Sequence, residues 1–227
     1  MKSIIIIAAA FALLSLNSCA ENSSTGPENG IEQSSVDFDA MINSINTLPA
    51  AVLTPATVDG LVHMREEEKL ARDVYQYLFE KYNVAVFSNI ASSEARHMAA
   101  VKALLDKYSI GDPVVSDTRG VFSDQHFADL YTVLTSQGDK SLLDAYIVGA
   151  TIEDLDIKDL KDLLALPLSQ DILLVYGNLE RGSENHLRAF TSQIKANGGN
   201  YAPQYISQTE YDTILSGSQG RSRNGRR

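Results

Sequence analysis

The strongest constraint on this chain is that ionisable side chains occupy core positions in four separate helical stretches. Between about Val86 and Tyr108, Phe87, Glu94, Val101 and Tyr108 recur every seven residues, and Ile90, His97 and Leu104 fill the companion position. Residues three, four and seven apart share one face of an α-helix. Glu94 and His97 therefore stand one above the other where leucine would ordinarily sit. An ionised carboxylate buried without a partner is costly, so the other helices must bring something to the same layer.

They do. From about Ala56 to Tyr82, Leu61, Glu68, Tyr75 and Tyr82 are seven apart, with Met64, Ala71 and Leu78 beside them. This phase turns Glu68 inward and sends Glu66 and Glu67 to a solvated flank. A third helix, about Lys140 to Leu166, places Tyr146, Glu153 and Leu160 on one core row and Leu142, Gly149, Asp156 and Leu163 on the other. Asp154 falls outside that stripe. A fourth, about Ser169 to Ala196, carries Ile172, Val175, Tyr176, Leu179, His186, Leu187, Phe190 and Ile194, with Ser183 one turn before His186. His63 and His126 have no neighbours at metal-binding spacing and read as surface or boundary residues.

Four acids and two imidazoles on converging apolar stripes call for cations. Two divalent ions would balance the four carboxylates Glu68, Glu94, Glu153 and Asp156, with His97 and His186 as neutral ligands. Carboxylate-rich ligation with imidazole suits iron or manganese, whereas structural zinc commonly takes thiolates, and this region has no cysteine.

The remaining segments frame those helices. Gly111-Asp112-Pro113 closes the second helix, and a long connection with one amphipathic helix (Asp124 to Ser136) leads to the third. Antiparallel neighbours need only a short loop, so this connection reads as a crossover along a bundle. Val36 to Leu48 reads as an accessory helix and Tyr201 to Leu215 as a C-terminal cover. The chain shows no strand pairs, internal repeat or phosphate-binding glycine loop. The expected fold is all-α, a four-helix bundle with a helical crossover between its second and third helices.

Charge and termini bound the partners. The 227 residues carry a net charge of −10, although Arg221, Arg223, Arg226 and Arg227 crowd the end. The folded part is thus more acidic still, which argues against nucleic acid or an anionic lipid surface as the main partner. Met1-Lys2, an apolar run from Ile4 to Leu14 and Leu16-Asn17-Ser18-Cys19 read as a secretory signal ending in a lipobox, with Cys19 the lipidated residue. The expected organisation is a lipoprotein-type signal at 1–19, a flexible tether at 20–35, the helical bundle at 36–215 and an Arg-rich tail at 216–227. An exported cell-envelope protein held to a membrane surface by its lipid follows; an ordinary signal peptide is the alternative. A tethered chain with such a tail suits a monomer or dimer better than a cage.

The pattern Glu, Glu-x-x-His, Glu, Glu-x-x-His over four helices resembles the ferritin-like superfamily of di-iron carboxylate proteins. Glu68-Lys69-Leu70-Ala71-Arg72-Asp73-Val74-Tyr75 is similar to the Glu-x-x-Ala-Arg-x-x-Tyr of its rubrerythrin-like members, which independently selects Glu68 from the three glutamates. More closely, 65–75, 93–105, 152–160, 181–190 and 203–215 resemble a family of unassigned activity, the domain of unknown function numbered 2202. The resemblance spans about residues 56 to 215. It departs at Ser183-Glu184-Asn185-His186, where serine replaces the expected glutamate. Asp156, one turn beyond Glu153, is read as supplying the displaced carboxylate; failing that, the site holds its second ion weakly or not at all.

The resemblance implies two iron ions, one if the departure is decisive, with manganese an alternative. It also implies chemistry with dioxygen or peroxide, of ferroxidase or peroxidase type. Tyr75 and Arg72 would orient or tune the ligands. The electron donor is unknown, and without a Cys₄ module it is not an internal rubredoxin. An iron-sequestering protein without turnover, and a bundle using these groups for structure alone, are the competing readings.

Overall fold

A computed structural model describes residues 34–217. The signal segment with Cys19, most of the tether and the Arg-rich tail lie outside the described residues. Within them the chain is all-α, with helices α1 (Ser34–Thr47), α2 (Pro55–Tyr82), α3 (Ala85–Lys107), α4 (Gln125–Gly138), α5 (Leu142–Leu164), α6 (Gln170–Ala196) and α7 (Gln208–Ser216). No helix among the described residues is long and apolar enough to cross a membrane.

Local chemistry sets the boundaries. Thr54 caps α2 by accepting from the Thr57 amide at 3.2 Å, and Pro55, which has no amide hydrogen to lose, opens the first turn. Asn83 ends α2 in the left-handed region (φ 51°), its amide donating to Phe79 O at 2.7 Å, a conformation asparagine tolerates. The chain reverses there directly into α3. Ser141 caps α5 through the Asp144 amide and Asp124 caps α4 through the His126 amide, at 3.0 and 2.9 Å.

Helix α2 packs on α3 and α5 on α6, and α2–α5 and α3–α6 contacts join the two pairs. Two apolar clusters result. One gathers Tyr75, Phe87, Tyr146, Leu187 and Phe190; the other gathers Leu61, Met64, Val101, Leu104, Leu160, Val175 and Leu179. Along α2, α3, α5 and α6 alike, the inward acids and imidazoles fall between members of the two clusters. The polar layer is thus flanked by apolar packing at both ends.

The segment linking α3 to α4 lies on α2 and overturns one expectation. Glu66 is buried, with Oε1 accepting from the Ser123 amide at 2.5 Å and Oε2 from the Asp124 amide at 3.1 Å. Beside it Arg65 grips Asp112 with Nε and Nη2, at 3.0 and 3.1 Å. Lys69 and Asp73 are completely buried and paired at 2.5 Å; Lys69 also donates to Thr118 O, and Asp73 accepts the Gly120 amide at 2.9 Å. The Lys69 ammonium sits 4.6 Å from the centre of the Phe122 ring. The polar flank of α2 is therefore an anchor for residues 112–124, with no need of solvent. Asp154 corrects a similar expectation. It is fully buried, and accepts from the Tyr201 hydroxyl at 2.8 Å and from the amides of Gln204, Tyr205 and Ile206 at 2.5, 3.2 and 2.9 Å. It ties the C-terminal segment down; a periodic stripe could not show this, because the covering chain is distant in sequence.

Candidate metal centre

Helix α2 contributes Glu68, α3 contributes Glu94 and His97, α5 contributes Glu153 and Asp156, and α6 contributes His186 and Ser183. Five of them form a row. His97 Nδ1 lies 3.2 Å from Glu68 Oε2 and 2.7 Å from Glu94 Oε2. Across the layer, His186 Nδ1 lies 2.8 Å from Glu94 Oε1 and 3.3 Å from Glu153 Oε2. The two rings face one another at an interplanar angle of 29°, their centres 5.7 Å apart. Two triads result, Glu68–Glu94–His97 and Glu94–Glu153–His186, each with ligand atoms within 4.8 Å of one another. Glu94 belongs to both and offers one oxygen to each.

The donor atoms are not satisfied by one another. Glu68 Oε1, Glu94 Oε1, Asp156 Oδ1 and His186 Nδ1 are buried and have no hydrogen-bond partner. Glu94 Oε1 and His186 Nδ1 are close enough to bond but not aligned to do so. Native interiors leave few polar atoms in that condition, and an ion is one of the standard reasons. A set of carboxylates and imidazoles whose lone pairs lack donors fits a pair of divalent cations.

Electrostatics in the metal-free state agree with this. Burial pushes Glu68 up to about 8 and Glu153 up to about 7. Burial also opposes charge on Glu94, but the imidazoles of His186 and His97 outweigh it and hold this carboxyl far below the ordinary range. Burial alone would lower His97, yet the Glu68 and Glu94 carboxylates raise it to about 10; Glu94 and Glu153 raise His186 in the same way. Without metal, imidazolium protons occupy the places where cationic charge is wanted.

Two supporting residues are placed differently. The Tyr75 hydroxyl donates to Glu153 Oε1 at 2.5 Å and orients that carboxylate. Arg72 makes its contacts elsewhere, to Asp73 at 2.8 Å and Asp117 at 2.7 Å. Asp156 stands outside both triads and accepts a hydrogen bond from Ser183, the serine at the position of the missing glutamate.

Gly182 is a site residue that periodicity did not reveal. A Cβ there would lie 2.5 Å from Cε1 and 2.7 Å from Nε2 of His97. Gly182→Ala should push this ring out of register, and any cation held by His97 should bind about 10- to 100-fold more weakly. Titration with Co(II) checks this, with wild-type affinity as the contrary result.

His63, expected to stand alone, does not. Its Nε2 lies 3.4 Å from Glu67 Oε2 and 3.4 Å from Asp159 Oδ2, and the three residues form another group of potential ligands. Glu67 is buried with them, contrary to the solvated position that the helical phase predicts. Burial acts to lower the His63 imidazole, but the two carboxylates outweigh it and raise it to about 10.

An all-α chain with acids and imidazoles gathered inside it at metal-binding distance is the class of protein that fold and site define. By sequence the chain belongs to the family described as an uncharacterized protein domain, DUF2202, whose model matches residues 57–218. It is 51% identical over 184 residues to the uncharacterized protein MJ0754 of Methanocaldococcus jannaschii, an alignment covering 81% of this chain and all of that one. A crystal structure of the hypothetical protein MJ0754 is similar to it with a TM-score of 0.75 at 52% identity, over 77% of this chain and 99% of the other.

Proposed function

We propose that this is a ferritin-like protein in which α2, α3, α5 and α6 form the four-helix bundle, α4 rides on the crossover, and the buried layer holds two first-row divalent cations. Iron is the expected metal, with manganese the alternative. The carrying observation is Glu94, whose two oxygens approach two different imidazoles while buried donor atoms around it lack partners. Glu68 and His97 would hold one ion and Glu153 and His186 the other, with Glu94 between them. Asp156, fixed by Ser183, would complete the set through Oδ1, the oxygen left without a partner.

Iron so held supplies redox chemistry toward dioxygen or peroxide, and the function is ferroxidase- or peroxidase-like. The protein's own part is to orient Glu153 through Tyr75 and to exclude bulk water with the apolar clusters on either side. With a single cysteine the chain carries no Cys₄ iron module of its own to supply electrons. The same reading makes it an exported lipoprotein, anchored by Cys19 to a membrane surface as a monomer or dimer.

Metal analysis of protein produced in iron-replete medium, followed by Fe(II) oxidation under dioxygen or peroxide, tests the proposal. About two buried ions per chain and oxidation faster than in buffer are expected. A folded protein that takes up no metal overturns the site, and bound iron that is not oxidised faster than in buffer overturns the redox reading. Loading must displace protons from Glu68, Glu153 and both imidazoles, so affinity should fall first as pH drops through about 10, where His97 takes up its proton, and further through about 8 and about 7. Calorimetry in buffers of different ionisation enthalpy reads the released protons.

A further inference from the structure

On the outer side of the α2–α5 contact, away from the row centred on Glu94, the imidazole of His63 meets two carboxylates. Glu67 is one turn along α2 from His63, and Asp159 comes from α5. Their ligand atoms all lie within 4.8 Å of one another. The helices approach closely here: a Cβ on Gly60 would stand 2.5 Å from Leu163 Cδ2. A cleft of about 320 Å³, lined by Asp59, Gly60, His63, Asp159, Asp162 and Leu163, opens beside the group.

Hydrogen bonding within the trio does not satisfy it. Both carboxylate oxygens of Glu67 are buried without a hydrogen-bond partner, and the residue is only 2% exposed. His63 Nε2 is 3.4 Å from each carboxylate, beyond the usual range for a good N–H···O bond. Two carboxylates and a neutral imidazole are matched in charge by a single dication, and the open cleft leaves room for water to complete its coordination. Mixed nitrogen and oxygen ligation without thiolate suits a first-row divalent ion.

We propose that His63, Glu67 and Asp159 form a third cation site, for a first-row divalent ion, separate from the buried pair and reached from the cleft. It shares no ligand with that pair, so it stands whether or not the buried centre binds iron. Its competitor is a purely structural ion trio in which protonated His63 is the counter-charge.

Co(II) titration of the metal-free full chain separates the two. Glu94→Ala removes the shared ligand of the buried centre, and this variant should still bind one Co(II) per chain. Adding His63→Ala should abolish that binding, and adding Asp159→Asn, at a half-exposed position, should weaken it about tenfold or more. A Glu94→Ala protein that binds no Co(II), or whose bound ion survives His63→Ala or Asp159→Asn unchanged, overturns the proposal. Circular dichroism confirms the fold of each variant, and Asp159→Asn decides the matter if His63→Ala unfolds. Failure of the buried centre has a different signature, namely equal Co(II) uptake by wild type and Glu94→Ala.

Discussion

Glu94→Ala should empty both halves of the buried centre at once, while Glu68→Ala and Glu153→Ala should each impair one half. The asymmetry follows from geometry. Glu94 Oε2 lies 2.7 Å from His97 Nδ1 and Glu94 Oε1 lies 2.8 Å from His186 Nδ1, whereas Glu68 and Glu153 each approach one imidazole. Removing an end carboxylate leaves the other triad intact. Removing the middle one leaves two imidazoles with Glu68, Glu153 and Asp156, and no carboxylate common to both triads. A second readout needs no metal. Glu94 is among the groups that raise both His97 and His186, so both rings should titrate lower in the metal-free variant, as followed by NMR. Equal metal loss in all three variants, or unchanged histidine titration in Glu94→Ala, would contradict the shared role.

Asp73→Ala should be the most destabilising single change outside the centre. Asp73 is completely buried and accepts from Lys69, from Arg72 and from the Gly120 amide. Its removal strands the equally buried Lys69 ammonium and releases the crossover at Gly120. Breaking a buried ion pair from one side costs about 3–5 kcal/mol, a large share of the roughly 5–15 kcal/mol by which a domain is stable. For a domain of this size that corresponds to a fall in Tm of roughly 6–20 °C. Urea unfolding measures it. The double change Lys69→Met with Asp73→Leu should recover part of the loss, because no unpaired charge then stays buried. A shift of under about 1 kcal/mol, the size of a surface ion pair, would show that the anchor contributes little.

Much of the centre was readable from spacing. A heptad phase distinguishes core from flank along one helix, which is enough to pick Glu68 from its two neighbours and to turn Glu94, His97, Glu153 and His186 inward. The same phase failed at Glu66, Glu67 and Asp154, and sequence spacing did not show that His63, a boundary residue, has Glu67 and Asp159 beside it. Each sits on a flank that the helical spacing leaves outside but that is not simply solvated. The 112–124 segment covers Glu66, the C-terminal segment covers Asp154, and α5 brings Asp159 beside Glu67 and His63. Periodicity measures a side chain's angle about its own helix axis. It carries no information about which distant segment lies across the outer face. Gly182 escaped for a related reason, since its role depends on the His97 ring of another helix.

Local sequence was sufficient for the long helices and for the inward facing of Glu68, Glu94, His97, Glu153 and His186, because these depend on spacing within a few turns. Helix packing decided that Glu94, of all the carboxylates, stands between both imidazoles. It also decided that Ser183 engages Asp156 and that Arg72 joins the crossover anchor and not the centre. Those outcomes turn on hydrogen-bond and ion-pair contacts between residues far apart in the chain, set by how closely the helices approach and how they are rotated against one another.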